Sequence, residues 1–347
     1  MKLHSAYRAV FDQLPTPFYP ENADTGIKRL CEAAQSLPDL DQGNKILDLY
    51  ELSDVRQLLK SIFGNSPFLT QAAVYDPEFL YSLLTKGPED GYQLAISPLK
   101  CLKIEPMPAI IPSNAARTLR SVKRKAALAT AIADISGVWP QKRVTQSISE
   151  LAEHAIIYGV RHLMLRAHVK GNLNLSHPDD PEKASGYIVI GMGKLGAREL
   201  NYSSDIDLIV FYDPELVSVA APHKVQQNIV RITRDLVQLL SERTQDGYVF
   251  RTDLRLRPDP SSTPLAISVD AAETYYESLG QNWERAAMIK ARQVAGDREA
   301  GDRFLERLAP FVWRKNLDFG TIQDIHAIKR QINAQQGGNK INVVGHN

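Results

Sequence analysis

The chain has 347 residues, with 41 Lys and Arg against 40 Asp and Glu, a formal net charge of +1. A chain longer than the roughly 100–200 residues of one ordinary domain is expected to form two or more units with their own cores, and near-neutrality argues against a protein that grips nucleic acid through backbone electrostatics. Cys31 and Cys101 are too few and too far apart for a disulfide framework or a zinc site. No apolar run approaches the roughly 20 residues that cross a bilayer, and the opening MKLHSAYRAVFDQLP lacks the apolar core of a secretory signal. A cytoplasmic protein with neither a membrane nor a nucleic-acid partner is therefore expected.

Residues 1–115 read as a helical region of short helices, broken by the Pro and Gly punctuation of PTPFYP, FGNSPF and EPMPAIIP. A basic cluster follows in RTLRSVKRK (Arg117, Arg120, Lys123, Arg124, Lys125). It reads either as a solvated helix face or as a docking surface for an acidic partner. The spacing of SISE makes Ser147 and Glu150 a capping box that starts a helix, with Ile148, Leu151, Ala152, Ala155 and Ile156 as its apolar stripe.

At SGYIVIGMG the character changes. Tyr187–Ile190 is a short apolar run between glycines, the mark of a buried strand, and a second strand is expected over Asp205–Tyr212. Val225, Ile229, Ile232, Leu236 and Leu239 recur at helical spacing, with Gly247 as the stop. In YVFRTDLRLRP, Phe250, Thr252, Leu254 and Leu256 alternate with Arg251, Asp253, Arg255 and Arg257, so a third strand is expected there. A small α/β unit between helical flanks results. GMGKLG matches the dinucleotide-binding pattern G-x-G-x-x-G, but only ARELNYS separates it from the next strand. A parallel crossover needs a dozen or more residues, so the dinucleotide reading is rejected. The phosphate-loop pattern is absent.

What remains is a glycine turn followed by a strand with two carboxylates. Residues i and i+2 of a strand share a face, roughly 6.5–7 Å apart, so Asp205 and Asp207 converge. Aspartate is a poor strand former and like charges repel, so structure alone gains little from the pair. A divalent cation resolves the repulsion, and oxygen-only ligands suit magnesium together with substrate phosphates. Asp253, on the third strand, is placed to complete the set. Arg255 and Arg257 are either phosphate ligands or a solvent-facing basic strip.

A glycine turn, then the hydrophobic-Asp-hydrophobic-Asp pattern, then a lone Asp on a later strand resembles the nucleotidyltransferase superfamily of DNA polymerase beta. GMGKLGARELNYSSDIDLIVFYD, VFRTDLRLRPDPSSTPLAIS, YYESLGQNWERAAMIKARQVAGD and FVWRKNLDFGTIQDIHAIKRQI resemble, more specifically, the bacterial glutamine synthetase adenylyltransferase/adenylyl-removing enzymes. The resemblance implies an α+β fold, a polymerase beta-type core with a small mixed sheet set in a mainly α-helical chain. It implies a nucleotidyltransferase domain over 116–290, with its sheet over about 186–270. Residues 291–347 are then the start of a helical region that the family continues beyond INVVGHN. That family joins two such units, one attaching AMP to a tyrosine of glutamine synthetase and one removing it by phosphorolysis. The NYSSDIDLIVFYD and RTDLRLRPDPSSTPLAIS stretches look like the removing unit.

By position the resemblance makes Asp205, Asp207 and Asp253 the metal triad for Mg2+, with two ions expected. Gly193, Lys194, Ser203 and Ser204 fall where the superfamily grips phosphates, although Lys194 stands where many relatives have Ser or Gly. Implied partners are adenylylated glutamine synthetase, the PII signal protein, phosphate and ADP/ATP. Glu284, Arg285, Lys290 and Arg292 are candidate substrate contacts, while Trp283 and His326 are expected to be structural. The competing readings are the adenylylating half, a template-independent RNA nucleotidyltransferase, which the charge balance opposes, and a silent binding module, which all three aspartates oppose.

Overall fold

The computed structural model describes residues 2–8, 14–100, 112–219, 222–313 and 330. These fall into two compact units, one drawn from 1–162, 198–204 and 238–251, the other from 163–197, 205–237 and 252–347. Among the described residues no helix is long and apolar enough to cross a membrane.

The first unit is helical. It begins with α1 (Ser5–Arg8), α2 (Pro20–Gln35), α3 (Leu40–Tyr50), α4 (Ser53–Phe63), α5 (Pro67–Tyr75), α6 (Pro77–Lys86) and α7 (Pro88–Lys100). The punctuation residues are its start signals: the side chains of Asp39, Ser66 and Asp76 accept from the backbone N–H groups of Gln42, Leu69 and Phe79, and Pro67 and Pro77 occupy the first helical position, where no N–H is required. Leu58, Leu59, Ile62, Leu80 and Leu83 are fully buried among them. The two long helices are α8 (Pro112–Ile135) and α9 (Gln141–Val169).

Ser147 does not cap a helix. It lies within α9, fully buried, donating to the Val144 carbonyl at 2.8 Å and meeting the Thr130 hydroxyl at 3.1 Å. Glu150 accepts from Arg143 and Gln146 instead of reaching back to a backbone N–H. The motif matched in letters, but α9 begins after Pro140, whose carbonyl accepts from Arg143 and Val144.

Of the basic cluster on α8, Arg117 is exposed, but the rest is not a fully solvated face. Arg120 is buried and donates to the carbonyls of Leu239, Glu242 and Gly247. Arg124 stacks over Tyr75 at 3.7 Å, and Lys125 pairs with Asp76 at 2.8 Å.

The second unit holds the sheet. Its strands are β1 (Tyr187–Gly191), β2 (Ile206–Tyr212), β3 (Thr252–Asp253), β4 (Ala266–Ser268) and β5 (Arg292–Gly296), in the order β3-β2-β1-β5 with β4 also on β2. β1 and β2 run antiparallel, Tyr187 opposite Tyr212 and Gly191 opposite Leu208, which removes the parallel crossover that a dinucleotide fold needs. β3 and β4 add to β2 in parallel. The sheet is thus mixed, and the α+β expectation is met. Ile188, Ile190, Ile209 and Phe211 pack against Tyr276, Phe304 and Phe311 from α12 (Val269–Ser278) and α14 (Arg298–Val312). On the opposite face the buried Tyr187 hydroxyl meets Thr233 of α11 (Val225–Ser241) at 3.0 Å. Burial on both faces explains why β1 and β2 read as continuous apolar runs.

Three local expectations are corrected. Asp205 lies one residue before β2, outside the ladder. The alternating stretch after Phe250 is not one long strand: β3 spans two residues, because the Asp253 carboxylate accepts from the backbone N–H of Arg255 at 2.8 Å and turns the chain there. The stretch GQNWERAAMIKARQ is helical only over α13 (Asn282–Met288), and its last residues begin β5, an unforeseen strand antiparallel to β1. His326 lies outside the described residues.

Candidate active site

The backbone brings the aspartates together. β2 and β3 pair in parallel with Asp207 directly opposite Asp253, and adjacent strands lie about 4.8 Å apart. Asp207 is half-buried and its carboxylate accepts no hydrogen bond among the described residues. Desolvation, then the charges of Asp253 and Asp205, push its pKa above the ordinary aspartate value, while Arg255 and Lys194 partly offset them. Asp205 is exposed and contributes to the same field.

Asp253 titrates the other way. Its pKa is lowered, foremost by hydrogen bonds from the Arg255 side chain. The guanidinium lies along the carboxylate, with Nε 2.9 Å and Nη2 2.6 Å from Oδ2. Two facing carboxylates therefore differ because Arg255 hydrogen-bonds one of them directly, while the other is desolvated and only partly offset by Arg255 and Lys194. Among the described residues no trio of His, Cys, Asp or Glu forms a ready metal centre; the Asp253 oxygens are turned onto Arg255. The donor chemistry itself, carboxylate oxygens in register on adjacent strands, is of the kind a hard divalent cation takes.

The glycine turn forms one side of this cluster. It folds as the single helical turn α10 (Gly193–Gly196). Gly193 has φ of 53°, and a Cβ there would stand 3.2 Å from Asp207 Oδ2, so glycine keeps open the approach to that carboxylate. A Cβ on Gly196 would fall 1.8 Å from the Lys290 carbonyl oxygen, inside van der Waals contact. Arg292 of β5 pins the turn by donating to the carbonyls of Gly196 at 3.0 Å and Leu195 at 3.1 Å. Lys194 is exposed and close enough to act on Asp207.

The remaining predicted residues are distributed differently. Arg257 donates to the carbonyls of Leu254, Pro260, Thr263 and Pro264, which tie down the loop after β3. Ser203 and Ser204 belong to the helical unit; the Ser203 carbonyl accepts from Arg251 at 2.8 Å and the Ser204 hydroxyl donates to Asn201. Glu284 is buried as the partner of Gln281 in a capping box and accepts from Tyr275. Arg285 is buried near the Phe311 ring. Trp283, expected in the core, is 41% exposed, because helix α13 turns Met288 inward instead.

The sequence reading missed Arg292 as the clamp on the glycine turn. Its signal was the strand hidden in ARQVAG, whose short apolar run follows directly on a helix.

The family model for glutamate-ammonia ligase adenylyltransferase matches residues 56–307. The chain is 47% identical over 319 residues to the bifunctional glutamine synthetase adenylyltransferase/adenylyl-removing enzyme of Rhizobium meliloti (strain 1021), covering 91% of this chain and 32% of that protein. It is 44% identical over 332 residues to the protein of the same name in Brucella suis biovar 1 (strain 1330), covering 96% and 33%. For that of Agrobacterium fabrum (strain C58 / ATCC 33970) the figures are 46% over 296 residues, 85% and 30%. The chain thus spans about a third of the length of these curated relatives. With most of its length matched by the family model and by these relatives, the chain belongs to the glutamate-ammonia ligase adenylyltransferase family.

Proposed function

We propose that this chain is a nucleotidyltransferase that removes AMP from adenylylated glutamine synthetase by phosphorolysis. The observation that carries the reading is Asp207, a half-buried carboxylate without a hydrogen-bond donor among the described residues, in register with Asp253 and beside the open Gly193 turn. The likeness of NYSSDIDLIVFYD and RTDLRLRPDPSSTPLAIS to the removing half of the family favours this direction over adenylylation.

In the proposed reaction an oxygen of inorganic phosphate forms a bond to the phosphorus of the tyrosyl-AMP ester. The bond from that phosphorus to the tyrosine oxygen breaks, its electron pair leaves on the phenolate, and the phenolate takes up the proton that phosphate gives up. The products are ADP and unmodified tyrosine. Phosphate is already an anion, so no strong base is needed. Asp205, Asp207 and Asp253 would hold Mg2+, which supplies charge neutralisation for the attacking and leaving oxygens. Lys194 presents an exposed cation beside Asp207. Arg255 holds the Asp253 carboxylate in line, and its exposed planar fork is the donor proposed for the incoming phosphate. Arg257, occupied by four carbonyls, maintains the loop. The proposed partners are glutamine synthetase as substrate, phosphate and ADP/ATP as small ligands, and PII as regulator, all within the cytoplasm.

The test is adenylylated glutamine synthetase incubated with this chain, magnesium and phosphate. ADP should appear, and omission of phosphate should stop AMP removal. Free AMP released in phosphate-free buffer would make water the nucleophile. Addition of AMP from ATP to unmodified glutamine synthetase would reverse the assignment of direction.

A further inference from the structure

The helical unit contains a cavity of about 750 Å³, within the roughly 300–1,000 Å³ range of small-molecule sites. Tyr75 and Tyr202 stand in its lining and are 62% and 50% exposed, so it opens to solvent. Four of the five cationic side chains around it are engaged. Arg120 donates to backbone carbonyls, Arg124 pairs with Asp246 at 3.8 Å, Arg243 stacks over Tyr248 and Arg251 donates to the Ser203 carbonyl. The other carboxylate of the lining, Asp134, accepts from the Tyr202 hydroxyl at 2.9 Å.

Lys123 is the exception. Its ammonium lies 4.2 Å from the centre of the buried Phe250 ring and has no hydrogen-bond or ion-pair partner among the described residues. A ring face repays only part of what an ammonium loses on leaving water without a counter-ion, so the fold favours the neutral amine, and burial pushes its pKa down to about 8. At about pH 7.4 roughly a fifth of such a group carries a free lone pair, against about a thousandth for an ordinary lysine. An amine that is neutral, unpartnered and open to a cavity is a nucleophile. The charge of the lining selects the electrophile. Five cations against two carboxylates leave it positive, which draws in small anions, and an acyl phosphate is a small anion with an electrophilic carbon.

We propose that Lys123 is an acylation site that takes the acyl group of small acyl phosphates. The amine nitrogen forms a bond to the acyl carbon, the bond from that carbon to the phosphate oxygen breaks, phosphate leaves with the electron pair, and the proton given up by the nitrogen goes to solvent. The product is a neutral amide. An unpaired charge is thereby removed from the site, and an apolar group takes its place beside Phe250. The inference does not rest on the aspartate chemistry.

The test treats the whole chain with acetyl phosphate between about pH 7 and pH 9 and follows each lysine by peptide mass spectrometry. Lys125, two residues away but paired with Asp76 at 2.8 Å, and the exposed Lys28 are the references. At about pH 7.4 Lys123 should react at least about fivefold faster than either, and its rate should level off above about pH 8.5 while theirs go on rising. Carboxylates, guanidiniums and phenols have their ordinary pKa values outside this range, so Asp134, Asp246 and the arginines and tyrosines of the lining do not supply that inflection. In urea the preference should vanish. Lys123→Arg, whose guanidinium stays charged, should lose the fast phase of total acetylation. A neutral acetyl thioester of similar size should show a smaller preference, since a positive lining does not attract it. Lys123 reacting no faster than Lys125 and Lys28 in the folded chain overturns the proposal, as does a preference that survives urea or a rate that rises in parallel with theirs to pH 9. These readings come from the parent chain, so they decide even if Lys123→Arg fails to fold by circular dichroism. Equal preference with the neutral thioester overturns the assignment of the donor.

Discussion

Replacing Asp207 by Asn separates a carboxylate kept for chemistry from one kept for structure. The change retains the shape of the side chain and deletes one charge. Like charges about 6 Å apart in a half-wet site, with an effective dielectric of about 40–80, repel by roughly 1 kcal/mol. Arg255 and Lys194 take back part of this and desolvation of Asp207 adds to it, so the ionised group costs on the order of 0.5–1.5 kcal/mol at neutral pH. The raised pKa sets the sign. Between the ordinary aspartate value of 3.8 and the higher folded one, the folded state binds more protons than the unfolded state. The parent is therefore relieved of this cost as the pH falls through that window. In EDTA at pH 7 the Asn variant should melt about 1–4 °C above the parent, and the gap should close as the pH approaches 4. With magnesium the order should reverse, because the parent gains by mass action on an ion bound only when folded. AMP removal should fall by orders of magnitude. Scanning calorimetry at both pH values, with and without magnesium, reads all of this. An Asn variant that melts below the parent in EDTA would mean that Asp207 anchors structure, and the reasoning would fail.

Arg255→Ala should leave the melting point nearly unchanged, since that side chain is exposed, yet raise the phosphate concentration needed for turnover. Arg257→Ala should instead destabilise the chain by about 1–3 kcal/mol by orphaning four carbonyls; equal behaviour of the two variants in denaturant melts would contradict this division. Gly196→Ala should cost roughly 2–3 kcal/mol despite alanine's better helix propensity, because the Lys290 carbonyl must move, and an unchanged denaturation midpoint would refute the close approach. Lys123, with a folded pKa of about 8 against 10.5, binds fewer protons folded than unfolded between those values. Stability should therefore rise with pH across that window, by at most about 3 kcal/mol and less where water enters the cavity. The effect is the difference between the parent and Lys123→Met, and parallel pH profiles for the two would exclude it.

The sequence by itself determined the elements whose pattern is local. The Pro-headed helices, the buried strands of Tyr187–Gly191 and Ile206–Tyr212 and the amphipathic helix Val225–Ser241 follow from spacing and capping chemistry within a few residues. The antiparallel relation of the first two strands was legible for the same reason, because the connection is too short for a crossover. Tertiary structure decided what depends on residues far apart in the chain. SISE resembles a capping box, but Ser147 meets Thr130 across the helical unit, and no local rule reveals that. The strand expected after Phe250 ends where a side chain competes with the ladder. Arg255 and Arg257 are two residues apart on an apparently uniform basic strip, yet one lies on a carboxylate and the other holds a loop. Lys123 and Arg120 share one basic cluster, yet Arg120 meets carbonyls more than a hundred residues away while Lys123 meets an aromatic ring. A charged side chain's role is set by what desolvates and neutralises it, and those groups arrive only when the chain has folded.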